Sequence, residues 1–403
     1  MSTPVSSSFG GDGVKVFDES EYLARIRRVR ESMVVRGLDL LLVTAPENMN
    51  YLTGYDGWSF YTHQMVILAV GDGLPIWIGR DIDVPCAELT TILPATHLHG
   101  YADHYVQSDS RHEMDFIVDF IASRGWGGSS IGVESDNYYF TAKCAERLRA
   151  GLSNARFDDA TGLVNRVRLV KSPSELSLMR EAGVIADMAM SAALEHIAPG
   201  RRQCDLAAHI AYRQIAGGPE IGGGVPGGVV MGTGERAIAP HLTWTEYAFE
   251  AGDATNIELG GCRRRYHAGL ARSIVLGEPR ESLRRLAASV IEAMHAALEA
   301  IAPGRTCAQV HEAWDWTIRR AGYSKSSRIG YSIGLGYPPD WGEHTASVRP
   351  GDETELQPGM TFHLIFGMWD KPDSFVISET VEVTETGHAS LSRCPRELLV
   401  KRD

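Results

Sequence analysis

The sequence predicts an α/β domain followed by an α+β domain made of two similar halves. Three observations lead there. The chain has 403 residues, more than one typical hydrophobic core organises. Its first part alternates helical periodicity with short apolar runs closed by turn residues, the pattern of helices packed on buried strands. Its later part repeats itself: "EHIAPGRRQCDLAAHIAYRQI" from 195 and "EAIAPGRTCAQVHEAWDWTI" from 299 each join a helix end, Ala-Pro-Gly-Arg, to a new amphipathic helix. Two similar halves would each supply a strand pair, with a site between them.

The opening "MSTPVSSSFGGDGV" is rich in Ser and Gly and has neither a basic start nor an apolar h-region. Residues 1–16 therefore read as a flexible tail and not a secretion signal. The α/β domain is expected over 17–165. "ESEYLARIRRVRESMVVRG" sets Leu23, Ile26, Val29 and Met33 at helical spacing, "LDLLLVT" and "MVILAV" read as buried strands, and "MDFIVDFIASRG" and "AKCAERLRAGL" return to helix. The second domain, 166–403, opens in "RLVKSPSELSLMREAG". Ser172 can cap the helix, Pro173 suits N1, and Glu175 completes a capping box. Leu176, Met179, Ala182, Ile185 and Met188 give that helix one apolar stripe.

Composition excludes several classes. With 44% hydrophobic and 22% charged residues and no long apolar stretch, nothing in the chain is suited to span a membrane, and the cytoplasm is the default location. A formal net charge of −12 argues against a nucleic-acid partner. The six cysteines make no Cys-x-x-Cys pair, so they signal neither a zinc knuckle nor a redox motif and read as free buried thiols.

Three residues stand out for chemistry. Glu258 in "TNIELGG" lies in an apolar strand, where burial raises a carboxylate's pKa unless a cation compensates. Glu379 in "FVISETVEV" alternates with apolar neighbours, sharing a face with Ile377 while Val376, Ser378 and Thr380 take the other. His241 in "RAIAPHLTW" follows a glycine-crowded loop, and histidine is the side chain best suited to move protons near neutrality. That loop lacks the Gly-Lys-Ser/Thr ending of a phosphate-binding loop and reads as one passing close to a ligand.

Together these segments resemble the superfamily of creatinase, Xaa-Pro aminopeptidase and methionine aminopeptidase. "NMNYLTGY" looks like that family's N-terminal domain motif, "RLVKSPSEL" like its domain junction, and "LQPGMTF" and "SETVEVTETG" like its closing strands. The resemblance implies a creatinase-like N-terminal domain and a pita-bread catalytic domain with pseudo-two-fold halves. It also implies a homodimer in which the N-terminal domain of one chain, through the "GYDGWSFYTHQ" loop, closes the site of the other.

The family's peptidases hold two metals with five ligands. The resemblance places Glu258 at the first aspartate and Gly269 at the second, Tyr331 at the histidine, Ile365 at the next glutamate, and Glu379 at the last; His241 matches the family's proton-shuttling histidine. Glycine, isoleucine and a protonated tyrosine hold divalent ions poorly, so no metal cofactor is expected. Two glutamates without metal call for another cation between them. Within the superfamily, "APHLTW", "RIGYSIGLGYPPDWGEHTASVRPGD" and "GMTFHLIFGMW" look like ectoine hydrolases, whose cyclic amidinium substrate could satisfy both carboxylates.

The resulting expectation is a metal-independent hydrolase that opens the ring of ectoine or 5-hydroxyectoine to N-acetyl-2,4-diaminobutyrate. Glu258 would activate water or attack the amidine carbon, His241 would shuttle protons, and Glu379 would hold the amidinium. Trp58, Tyr331 and Trp341 are candidates to stack on the ring, and Arg265, Arg328 and His344 to meet its carboxylate. A deacetylase acting on the product is a conceivable partner. Other amidine or guanidine hydrolases, an Xaa-Pro peptidase with displaced ligands, and a non-catalytic binding protein remain as alternatives.

Overall fold

Short apolar runs become strands because β-branched and leucine-rich segments are stable only when both faces of the sheet are covered. In the computed structural model, which describes residues 15–402, the chain divides into two units between Val167 and Arg168. Of the tail expected at 1–16, only Lys15 and Val16 lie within the described residues.

The first unit runs α1 (Glu19–Val35), β1 (Leu40–Val43), α2 (Pro46–Thr53), β2 (Met65–Ala69), β3 (Ile76–Arg80), α3 (Val84–Thr90), β4 (Leu98–Tyr101), α4 (Glu113–Ser123), β5 (Ser130–Val133), α5 (Ala142–Gly151), β6 (Arg156–Asp159) and α6 (Leu163–Val167). Its sheet has the order β4-β3-β2-β1-β5-β6, antiparallel around β2 and parallel elsewhere. The two apolar runs read as strands are β1 and β2. In the "NMNYLTGY" segment, Asn48 donates to buried Glu134 at 2.6 Å, and the same carboxylate accepts the amides of Thr44 and Ala45 at 2.8 and 2.9 Å. Gly54 closes α2 with φ +87°, a conformation that favours glycine.

The second unit runs α7 (Pro173–His196), α8 (Gln203–Ala216), β7 (Val230–Thr233), β8 (Ala254–Arg263), β9 (Tyr266–Leu276), α9 (Glu281–Glu299), α10 (Cys307–Arg320), β10 (Gly330–Ile333), β11 (Gly342–Val348), β12 (Thr361–Asp370), β13 (Asp373–Val383), β14 (His388–Ser390) and β15 (Leu399–Lys401). The capping box of Ser172 and Glu175 is formed, with Pro173 in the first turn. The two echoed segments are the α7–α8 and α9–α10 connections, so each half is a helix pair followed by strands with a long hairpin, β8–β9 or β12–β13.

One sheet has the order β15-β9-β8-β7 and the other β11-β10-β12-β13-β14. Each half has its own apolar core, α7 and α8 over the first sheet and α9 and α10 over the second. Gly261 lets α7 lie directly on β8, since a Cβ there would collide with the Ala182 carbonyl. With the helices covering the outer sheet faces, the inner faces are left to form a site.

Candidate active site

The two halves enclose a cavity of about 680 Å³, within the range of small-molecule sites. The first half contributes the loop around Gly228, Pro240 and His241, and Glu258 of β8. The second contributes Lys325 and Arg328 ahead of β10, Tyr331 on β10, Trp341 and His344 at the start of β11, and Ile365 and Trp369 on β12. Sequence-named His241, Glu258, Arg328, Tyr331, Trp341 and His344 are thus brought together from segments 70 to 103 residues apart.

Glu258 sits between Ile257 and Leu259, both fully buried, with its own side chain half-buried against the cavity. Among the described residues it has neither a hydrogen bond nor an ion pair. Burial pushes its pKa up to about 7, because taking the carboxylate from water disfavours its charged form. His241 is exposed, on the loop after the turn Gly234–Ile238.

Tyr331 is positioned by three neighbours. Its hydroxyl accepts the Trp341 indole N–H at 2.9 Å and lies 3.3 Å from Nδ1 of His363, and the Arg328 guanidinium covers its ring at 4.5 Å. Burial first, and the nearby Glu258 carboxylate second, hold the phenol well above its ordinary pKa, so it stays protonated. Trp341 is only 9% exposed, and its indole lies against Gly227 and Gly260.

His363 escaped the sequence reading. It is fully buried on β12, with Nε2 2.9 Å from the Ser378 hydroxyl, and burial pushes its pKa down to about 3, which keeps it neutral. Its ring takes the space beside Gly269, where a Cβ would come within 2.5 Å of it. The only sequence signal was a histidine alternating with apolar residues two positions before Ile365. Lys325 was also missed: its ammonium donates to the Gly367 carbonyl at 2.9 Å over the Trp369 ring at 4.9 Å, and burial lowers its pKa to about 8.

The structure gives Glu379 partners other than the cavity. Its carboxylate meets Arg272 at 2.7 Å and Arg396 at 3.3 Å, and it is completely buried. The β12–β13 register is continuous, and Val376 on the alternate face lines the cavity while Ile377 packs in the helix-side core. Arg265 lies over Tyr337 at 4.4 Å and is not part of the lining; His344 lines it and contacts Asp340 at 2.7 Å. Trp58 belongs to the first unit, where it is 72% exposed.

These residues do not fit a pair of metal ions. Of the five ligand positions, Gly269 faces an imidazole, Tyr331 keeps its proton in hydrogen bonds, Ile365 offers no donor, and Glu379 is neutralised by two arginines. What the cavity offers is one uncompensated carboxylate, two histidines, aromatic faces and two cations.

Comparison with known proteins agrees with this architecture. The Creatinase/Prolidase N-terminal domain matches residues 25–170 and Metallopeptidase family M24 matches 177–385. The chain belongs to family M24, with a creatinase-type N-terminal domain and a pita-bread domain, and is a hydrolase acting on C–N bonds.

Among its relatives, ectoine hydrolase of Halomonas elongata is 42% identical over 96% of this chain and 98% of its own. An uncharacterized hydrolase/peptidase, y4tM, of Sinorhizobium fredii is 45% identical with the same coverage. In fold, dipeptidase PepE from Mycobacterium ulcerans superposes with a TM-score of 0.81 at 23% identity, over 96% of this chain and 100% of that one. Prolidase from Pyrococcus horikoshii gives 0.79 at 23% identity, over 93% and 100%.

Proposed function

We propose that the protein opens the ring of ectoine, or of 5-hydroxyectoine, without a metal ion, giving N-acetyl-2,4-diaminobutyrate. The observation that carries this reading is Glu258: a half-buried carboxylate without a counter-charge, facing a cavity that also holds Arg328 and Lys325. A cyclic amidinium bearing a carboxylate complements both signs. Likeness to the Halomonas ectoine hydrolase supports the choice among amidines.

Binding of the amidinium beside Glu258 stabilises its carboxylate form. Glu258 then either takes a proton from water as the water adds to the amidine carbon, or adds to that carbon itself before water releases it. One ring C–N bond breaks, its nitrogen takes a proton delivered by His241 and becomes the free amine, and the other nitrogen stays bound to the former amidine carbon as the N-acetyl amide. Tyr331 and Trp341 form the aromatic wall, Arg328 and Lys325 meet the carboxylate, and Glu379 acts through Arg272, holding β9 against β13. The active form is proposed to be a homodimer, the first unit of one chain covering the cavity of the other.

Proton NMR of ectoine with the purified protein in excess EDTA tests this reading. Ring-opened acetyl signals are expected. Product only after adding a divalent metal would restore the peptidase-type mechanism, and none in either condition would reject ectoine in favour of another amidine or a binding role. Replacing Arg328 or Lys325 by Ala is expected to raise KM about tenfold or more with a smaller change in kcat.

A further inference from the structure

The first unit gathers His63, His112 and Cys144, with one donor atom of each within 4.8 Å of the others. They come from the segment entering β2, the residue that caps α4, and the first turn of α5. Cys144 is fully buried in the core of this unit, and the histidines are half-buried toward the surface.

The donor-atom separations are in the range a coordination shell spans, and a small rotation of the His63 ring would aim one nitrogen at a shared ion. Cys144 Sγ lies 3.5 Å from Nε2 and 3.6 Å from Nδ1 of His63. A tetrahedral zinc with a thiolate at about 2.3 Å and an imidazole at about 2.1 Å spreads the sulfur and the ligating nitrogen to about 3.6 Å. His63 Nδ1 lies 3.3 Å from the Tyr139 carbonyl, the outer contact by which ligating histidines are oriented: a proton on Nδ1 would donate there and leave the Nε2 lone pair for an ion.

The His112 ring stacks on that of His63, with centroids 5.1 Å apart and planes 27° apart. Its Nδ1 accepts the Met114 amide at 3.1 Å and is 3.7 Å from the Glu113 carboxylate. Ligation through Nε2 would exchange that capping bond for an Nδ1–H facing Glu113.

The Cys144 thiol and the His63 ring are in hydrogen-bond contact. A proton shared between these two would serve one pair only, and would face the second imidazole. A divalent cation uses all three donors.

We propose that His63, His112 and Cys144 form a binding site for one zinc ion, with Cys144 as thiolate and a fourth position open to water or Glu113. The site is built entirely within the first unit, and its role is to tie the β2 entry to α4 and α5.

The test uses the full chain, stripped with chelator and titrated with cobalt(II) as a spectroscopic substitute for zinc. One equivalent is expected to bind with a near-ultraviolet thiolate-to-cobalt charge-transfer band that zinc abolishes. Cys144→Ser should remove the band, and His63→Gln or His112→Gln should weaken binding at least tenfold. Should the cysteine variant fail to fold, His112→Gln carries the test, since it leaves the Cys144–His63 contact in place. No bound cobalt, cobalt bound without the band, or a band that survives Cys144→Ser would overturn the proposal.

Discussion

A carboxylate that keeps its proton to near pH 7 has a visible consequence in rate. The proposed chemistry needs ionised Glu258, so kcat/KM should fall about tenfold per pH unit below 7, and Glu258→Gln should lower kcat by about a thousandfold or more. Stability moves the other way. Burial raises the folded pKa above the unfolded one, so the cost of an ionised Glu258 grows as pH rises from about 4.5 to 7 and then levels off. Glu258→Gln should therefore raise the melting temperature at pH 8 by more than at pH 5. At Gly269 the expected effect is opposite: Gly269→Asp restores an acid to the family's ligand position but drives its Cβ into His363, and should destabilise the fold by about 1–3 kcal/mol in denaturant titration. His363 was illegible beforehand because its environment is assembled from Gly269 on β9, Tyr331 on β10 and Ser378 on β13.

Among the elements, those with strong local signals were read correctly. The α7 start could be read because capping is local: Ser172, Pro173 and Glu175 meet within one turn. The two strands of the first domain and the echoed helix junctions were readable for the same reason. The junction's other half was not. Arg168 and Lys171 reach across to Glu343 on β11, at 3.3 and 2.6 Å, and all three are buried. Sequence spacing carries no trace of a partner more than 170 residues away. Removing that charge with Glu343→Gln leaves two buried cations underneutralised and should cost about 3–5 kcal/mol, seen as a lower urea midpoint with an unchanged slope.

For the molecule as a whole, the duplicated architecture explains why the cavity lies where it does. Two helix-covered sheets turn their inner faces toward one another, and neither half alone carries both Glu258 and the Tyr331–Trp341 wall. No helix among the described residues is long and apolar enough to cross a membrane. The proposed homodimer belongs to this scale. Light scattering should give twice the mass of one chain, and dilution or an interface variant that yields folded monomer should abolish turnover; a fully active monomer would remove the dimer from the mechanism.

The sequence by itself determined the two-domain order, the repeat within the second domain, the family, and six residues that the cavity unites: His241, Glu258, Arg328, Tyr331, Trp341 and His344. Such features are written in periodicity, caps and motif order, all properties of neighbouring residues. Only the tertiary structure decided which charges are spent and which are free. Glu379 is consumed by Arg272 and Arg396, Glu258 is left without a partner, and His63, His112 and Cys144 converge from three segments. Charge compensation depends on distance through space, and a chain fold sets those distances between residues that sequence order keeps far apart.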